Sequence, residues 1–142
     1  MTIAAILDGP RPETVTVNAS DSVRTAVALL AERRIGAVPV IDAGAVIGVL
    51  SERDVLYCLA RDGAAVLDAK VEAVMTSPAI TVTRDLSVLN ALALMTRRRV
   101  RHLPVVDGDR MVGFVSIGDL VKWRIDRIEA EAAAMREYIQ AS

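Results

Sequence analysis

One cysteine, one histidine and 3 % aromatic side chains leave this chain short of the groups from which active sites and stacking surfaces are built. The single cysteine, Cys58, excludes an internal disulfide and any multi-cysteine metal site. Its neighbours Leu56, Leu59 and Ala60 are apolar, so it reads as packing rather than as a nucleophile. His102 stands alone, with no partner that would support metal binding or catalysis. Neither a Ser/His/Asp set nor a phosphate-binding glycine loop is found. No enzyme, no catalytic cofactor and no metal are expected. Charge of one sign is lacking too: 17 Lys and Arg stand against 18 Asp and Glu, so no global field draws nucleic acid or anionic lipid. No apolar run approaches the roughly 18 residues of a membrane helix. The start, MTIAAILDGPRPE, lacks the basic and apolar stretches of a signal peptide. A soluble, cytoplasmic protein without a membrane partner is expected.

What the chain does have is aliphatic material and a repeat. Hydrophobic residues make up 53 % of 142 residues, enough for one good core of strands covered by helices. Shifted by 65 positions, residues 16–56 fall on residues 81–121 without a gap. Identical pairs include Ser22/Ser87, Pro39/Pro104, Asp42/Asp107, Gly48/Gly113, Ser51/Ser116 and Asp54/Asp119. Two copies suggest a closed pair with a cleft between its halves.

Each copy carries the same order of elements. Residues 14–17 and 80–83 are short β-branched runs, read as strands. Ser20 and Asp85 are the expected helix N-caps. Val23, Ala26, Val27 and Leu30 follow at helical spacing, matched by Val88, Ala91, Leu92 and Met95. Residues 37–41 and 102–106 are apolar strands, and turn sequences lead from them into strands 46–50 and 111–115. Ser51 and Ser116 then open a second helix. Ahead of each copy, Ile3, Ile6 and Leu7 echo Val71, Val74 and Met75, so residues 61–79 form a connector with its own short helix. The expected fold is α/β (α+β): two β-α-β-β-α units packed sheet to sheet about a pseudo-two-fold axis, plus a long C-terminal helix. Residues 1–61 hold the first repeat, 62–122 the connector and second repeat, and 123–142 the helix extension.

The paired segments PVID…GVLSERD and PVVD…GFVSIGD resemble the cystathionine-β-synthase (CBS) domain. Over roughly residues 1–122 the chain is similar to a stand-alone CBS pair, or Bateman module. The resemblance implies a regulatory, signal-transducing module that binds AMP, ADP, ATP or NAD between the repeats, with S-adenosylmethionine ranked behind them. It assigns the ribose to Asp119 and Ser116 in one site and to Asp54 and Ser51 in the other. The spacing Ser-x-x-Asp is also that of a capping box, and both roles can hold together.

The repeats differ where the resemblance expects phosphate-contacting cations. Arg101 faces Gly36 across the repeat, and Arg53 faces Gly118. The stronger site is therefore expected to join Ser116 and Asp119 with Arg101 and Arg53, beside Ile80, Thr81 and Val82 on the adenine and with His102 nearby. The weaker site has Ser51, Asp54, Thr16 and Val17. Arg97, Arg98 and Arg99 read as a solvated face at a helix end.

Past the second repeat, Val121, Ile125, Ile128, Ala132, Met135 and Ile139 recur at heptad spacing, flanked by Trp123 and Tyr138. A homodimer follows as the expectation, together with an unidentified regulated protein acted on in trans. Two other functions compete with this one. A ligand-free structural or interaction dimer would keep every repeat feature. Nucleic-acid binding through residues 97–102 has only a local basic cluster to support it.

Overall fold

A computed structural model describes residues 1–141, so Ser142, the last residue of the expected extension, lies outside the described residues. The helices start from serine caps. Ser22 accepts from the Thr25 N–H and Ser87 from the Asn90 N–H, opening α2 (Val23–Arg33) and α4 (Val88–Arg98). The caps thus sit two residues beyond the expected Ser20 and Asp85. The turn before each helix uses its own side chains: Asp85 accepts from the Thr83 hydroxyl, and Asp21, next to Ser20, accepts the Asn18 N–H at 2.9 Å. Matching residues go inward, Val23, Ala26 and Leu30 in α2 and Val88, Ala91 and Met95 in α4. Both helices end in a left-handed arginine, Arg34 at φ 52° and Arg99 at φ 55°, where glycine is the more usual residue.

Two hairpins follow the helices, β2 (Ala37–Asp42) with β3 (Ala45–Ser51), and β4 (His102–Asp107) with β5 (Arg110–Ser116). The run at 14–17 contributes only β1 (Val17–Asn18), parallel to β2. In the run at 80–83 only Val82 pairs, as a single parallel bridge to Val105. These segments cover the outer edges of β2 and β4, and β3 meets β5 at Ala45 opposite Arg110. One five-stranded sheet results, ordered β1-β2-β3-β5-β4, in which the sheets of the two repeats meet.

The cores do not follow chain order. The core of the first repeat takes in Val71 from the connector, whereas that of the second takes in Ile3 and Ile6 of α1 (Ile3–Leu7). Backbone bonds fix this exchange: the N–H of Ile3 donates to Leu86 and that of Val71 to Asp21. Leu7 then lies over Gly113 and Met75 over Gly48, each in a place that a larger residue would fill. The expected connector helix is present as two 3₁₀ turns, Gly63–Asp68 and Val71–Ala73.

The second helix of each repeat is α3 (Glu52–Asp62) and α5 (Ile117–Ala141). Half-buried Cys58 lies on α3. The 25 residues of α5 run about 37 Å, well past the domain it starts in. Leu120 is buried and Trp123 packs on the core of the second repeat, so Trp123 is a domain contact and not a seam residue. Beyond it Ile125, Ile128, Met135 and Ile139 are each about half exposed or more, at 50, 49, 60 and 64 %. Among the described residues no helix is long and apolar enough to cross a membrane.

Candidate functional site

Strand β5 ends at Ser116, and the chain turns there into α5. The Ser116 N–H donates to Asp119 Oδ2 at 2.8 Å, and the Asp119 N–H donates back to Ser116 Oγ at 3.1 Å. Ser51 and Asp54 repeat this box at 2.9 and 3.1 Å. Both Ser-x-x-Asp motifs are therefore real caps, each using one carboxylate oxygen. What the other oxygen meets separates the two sites.

Asp54 Oδ1 accepts from the Thr76 hydroxyl at 3.0 Å. The position 65 residues earlier is Arg11, whose guanidinium reaches Asp119 instead, 3.2 Å from Oδ2, and also donates to the Phe114 carbonyl at 2.8 Å. Asp119 Oδ1 has no hydrogen-bond partner among the described residues, and 36 % of the side chain is exposed. Asp119 thus offers a diol an oxygen with no partner, while each oxygen of Asp54 already accepts one bond.

A cleft of about 450 Å³ opens on Asp119, within the range of small-molecule sites. Ser116, Asp119 and Phe114 form one wall with His102. Arg11–Val15 and the chain from Arg33, at the end of α2, to Ala37, at the start of β2, complete the lining. The ring of His102 stacks on Phe114, with centroids 5.5 Å apart. Burial holds its imidazole below the ordinary value of 6.5, against the pull of Asp119 and Glu52 and with Arg101 adding to the depression.

Of the eight residues expected in the stronger site, the cleft gathers three: Ser116, Asp119 and His102. Arg101, Arg53, Ile80, Thr81 and Val82 do not line it. Val82 is buried in the second core and Ile80 packs against that core, while Arg53, Arg101 and Thr81 are exposed elsewhere. The cause is the exchange of leading segments. The loop before repeat 1 crosses to Asp119, and the loop before repeat 2 crosses to Asp54 through Thr76. Thr14 and Val15 thus line the cleft on Asp119, whereas Val17 is core and Thr16 points to solvent. The position opposite Arg101 in the repeat, Gly36, lies in this cleft, with His102 3.7 Å from where its Cβ would stand.

Cations come instead from Arg11, Arg33 and Arg34. Arg11 carries no motif, and only its place in the repeat, opposite Thr76, could have drawn attention to it. Arg33 and Arg34 are identical in the second repeat to Arg98 and Arg99, a pairing that hid their use here. The run at 97–102 is not one surface, because Arg97–Arg99 and Arg101 are exposed while His102 turns inward onto Phe114. Among the described residues no cluster of His, Cys, Asp and Glu could hold a metal ion.

This pairing of halves has known counterparts. The CBS domain matches the chain twice, over residues 3–61 and 71–126. The chain belongs to the CBS domain family. As a CBS pair it is 37 % identical over 125 residues to the mitochondrial CBS domain-containing protein CBSX3 of Arabidopsis thaliana. That alignment covers 84 % of this chain and 61 % of CBSX3, so the chain spans less than two thirds of that relative. The crystal structure of a CBS-domain-containing protein from Agrobacterium tumefaciens superposes with a TM-score of 0.82 at 36 % identity, covering 87 % of this chain and 99 % of the other. A crystal structure of CBSX2 in complex with AMP gives 0.76 at 28 % identity, covering 88 % and 96 %.

Proposed function

We propose that this CBS pair is a sensor that binds one adenosine-containing nucleotide per chain, in the cleft on Asp119, and signals to a partner protein in trans. The observation that carries the reading is the free Oδ1 of Asp119 at the mouth of a cleft holding three arginines. A ribose diol donates to such a carboxylate, and the arginines suit a phosphate or diphosphate. Apolar contacts from Val15, Ala37 and Phe114 suit a purine face. The AMP complex of CBSX2 supports an adenosine ligand over other nucleosides. The site on Asp54 is the weaker one, because Thr76 already donates to the carboxylate oxygen that a diol would use. A ligand shifts such a module only by its different affinity for two states, so occupancy would be transmitted through α5, which begins at the site.

The same reading joins two chains along the exposed α5 seam, where Val121, Ile125, Ile128, Met135 and Ile139 share a helical face at heptad spacing. Calorimetric titration with AMP, ATP, NAD and S-adenosylmethionine tests the binding. Saturation near one ligand per chain supports the reading and identifies the signal. No heat with any of the four, in folded and nucleotide-free protein, would leave a structural dimer as the better account.

A further inference from the structure

Arg11 is the one cleft cation that already has bonds to exchange. It stands on the irregular segment between α1 and β1, and its side chain ties that segment to the site through Asp119 and the Phe114 carbonyl. Both bonds are to side-chain nitrogen, so the guanidinium can leave without breaking any backbone pairing. The Asp119 capping bond is untouched by such a move, because the Ser116 N–H holds Oδ2 independently.

The counterpart in the other half behaves oppositely. Thr76 is neutral, and its backbone exchanges two bonds with Val49, at 2.9 and 3.0 Å, so its short side chain stays beside Asp54 even when the hydroxyl rotates. Where Thr76 uses its backbone N–H on the Val49 carbonyl, Arg11 uses its side chain on the Phe114 carbonyl. The two halves therefore differ by a movable charge. The side chains of Arg33 and Arg34, which line the same cleft, make no ion pair or hydrogen bond among the described residues, so neither has a bond to exchange.

We infer that Arg11 is the residue by which this cleft selects charged from uncharged adenosine ligands. Resting on the proposed nucleotide site, this assigns Arg11 two positions. Without ligand, its ion pair on Oδ2 offsets the charge of Asp119 and so weakens the free Oδ1 as an acceptor for a ribose diol. With a phosphorylated ligand, it turns to the phosphate and the carboxylate recovers its full charge. An uncharged nucleoside binds the weakened carboxylate and gives the guanidinium no anion to turn to. A nucleotide supplies that anion.

The test is titration of the wild type and of Arg11→Ala with adenosine and with AMP, at two salt concentrations. The variant is expected to bind adenosine about two- to fivefold tighter, as for loss of a partly exposed ion pair. It should bind AMP about tenfold weaker, as for loss of a charge-assisted hydrogen bond. Its AMP affinity should also depend less on salt than that of the wild type. Arg11→Met, which keeps the aliphatic stem, is measured alongside, so that a packing defect in the alanine variant does not decide the matter. An unchanged ratio of AMP to adenosine affinity in both variants, including an equal weakening of the two, overturns the inference and leaves the nucleotide site standing. Binding of neither ligand by folded wild type and variants overturns both.

Discussion

Asp54 and Asp119 occupy identical positions in their repeats and make identical caps, yet they differ by one neighbour. Because Thr76 donates to Asp54 Oδ1 while Asp119 Oδ1 is open, Asp119→Ala should weaken the preferred adenosine nucleotide ten- to a hundredfold, about 1.5–3 kcal/mol. Asp54→Ala should change that affinity little. Equal losses in paired titrations would mean two equivalent sites. His102 sets a second expectation at this scale. Its burial favours the neutral ring in the folded state, so the unfolded chain binds the proton more readily. The stability this contributes is fully present above the ordinary value of 6.5 and is lost as pH falls through and below it. Denaturant midpoints of wild type should therefore fall more between pH 7 and pH 5 than those of His102→Gln. Parallel curves for the two proteins would mean that the ring contributes nothing to the acid response.

Among the elements, the leading segments decide the most. Leu7 and Met75 reach the sheets of the opposite repeats because Gly113 and Gly48 leave room there. A Cβ on Gly48 would stand 2.7 Å from the Thr76 carbonyl oxygen, a backbone atom held in the sheet edge. The atoms nearest a Cβ on Gly113 would be side-chain carbons of Leu7, at 2.5, 2.9 and 3.3 Å. Gly48→Ala should accordingly cost about 1–3 kcal/mol, and Gly113→Ala less, in urea unfolding. The reverse order would show that the Leu7 side is the rigid one. Gly48→Ala should also disturb Thr76 and with it the bond to Asp54.

For the molecule as a whole, α5 matters most, since it links the proposed nucleotide cleft to the exposed seam. Cutting away residues 129–142 removes Met135 and Ile139 but leaves Leu120 and Trp123 on their core. The shortened chain should keep its fold and nucleotide affinity while its mass by light scattering drops from dimer to monomer. A dimer of unchanged mass would place the contact elsewhere, for instance on exposed Leu56 and Tyr57 of α3 or Leu89 of α4.

Much of this was open to reading from the residues alone. The repeat, the two hairpins, the buried stripes of α2 and α4 and the Ser-x-x-Asp turns depend on local periodicity and on side chains a few positions apart. The caps lie two residues beyond Ser20 and Asp85, because Ser22 and Ser87 are the residues that accept the first free helix N–H groups, and Asp85 bonds Thr83 in the turn instead. The pairing of Ile3, Ile6 and Leu7 with Val71, Val74 and Met75 was also visible, although not what each set packs against. That depends on the tertiary structure. By itself the sequence determined a CBS pair with two carboxylates at matched turns. Only the folded chain decided which loop meets which carboxylate, since the exchange of leading segments joins residues 108 positions apart, as in Arg11 on Asp119. No local signal could carry that choice, because Arg11 and Thr76 lie outside the helices and strands of the repeats and acquire their roles only through contact.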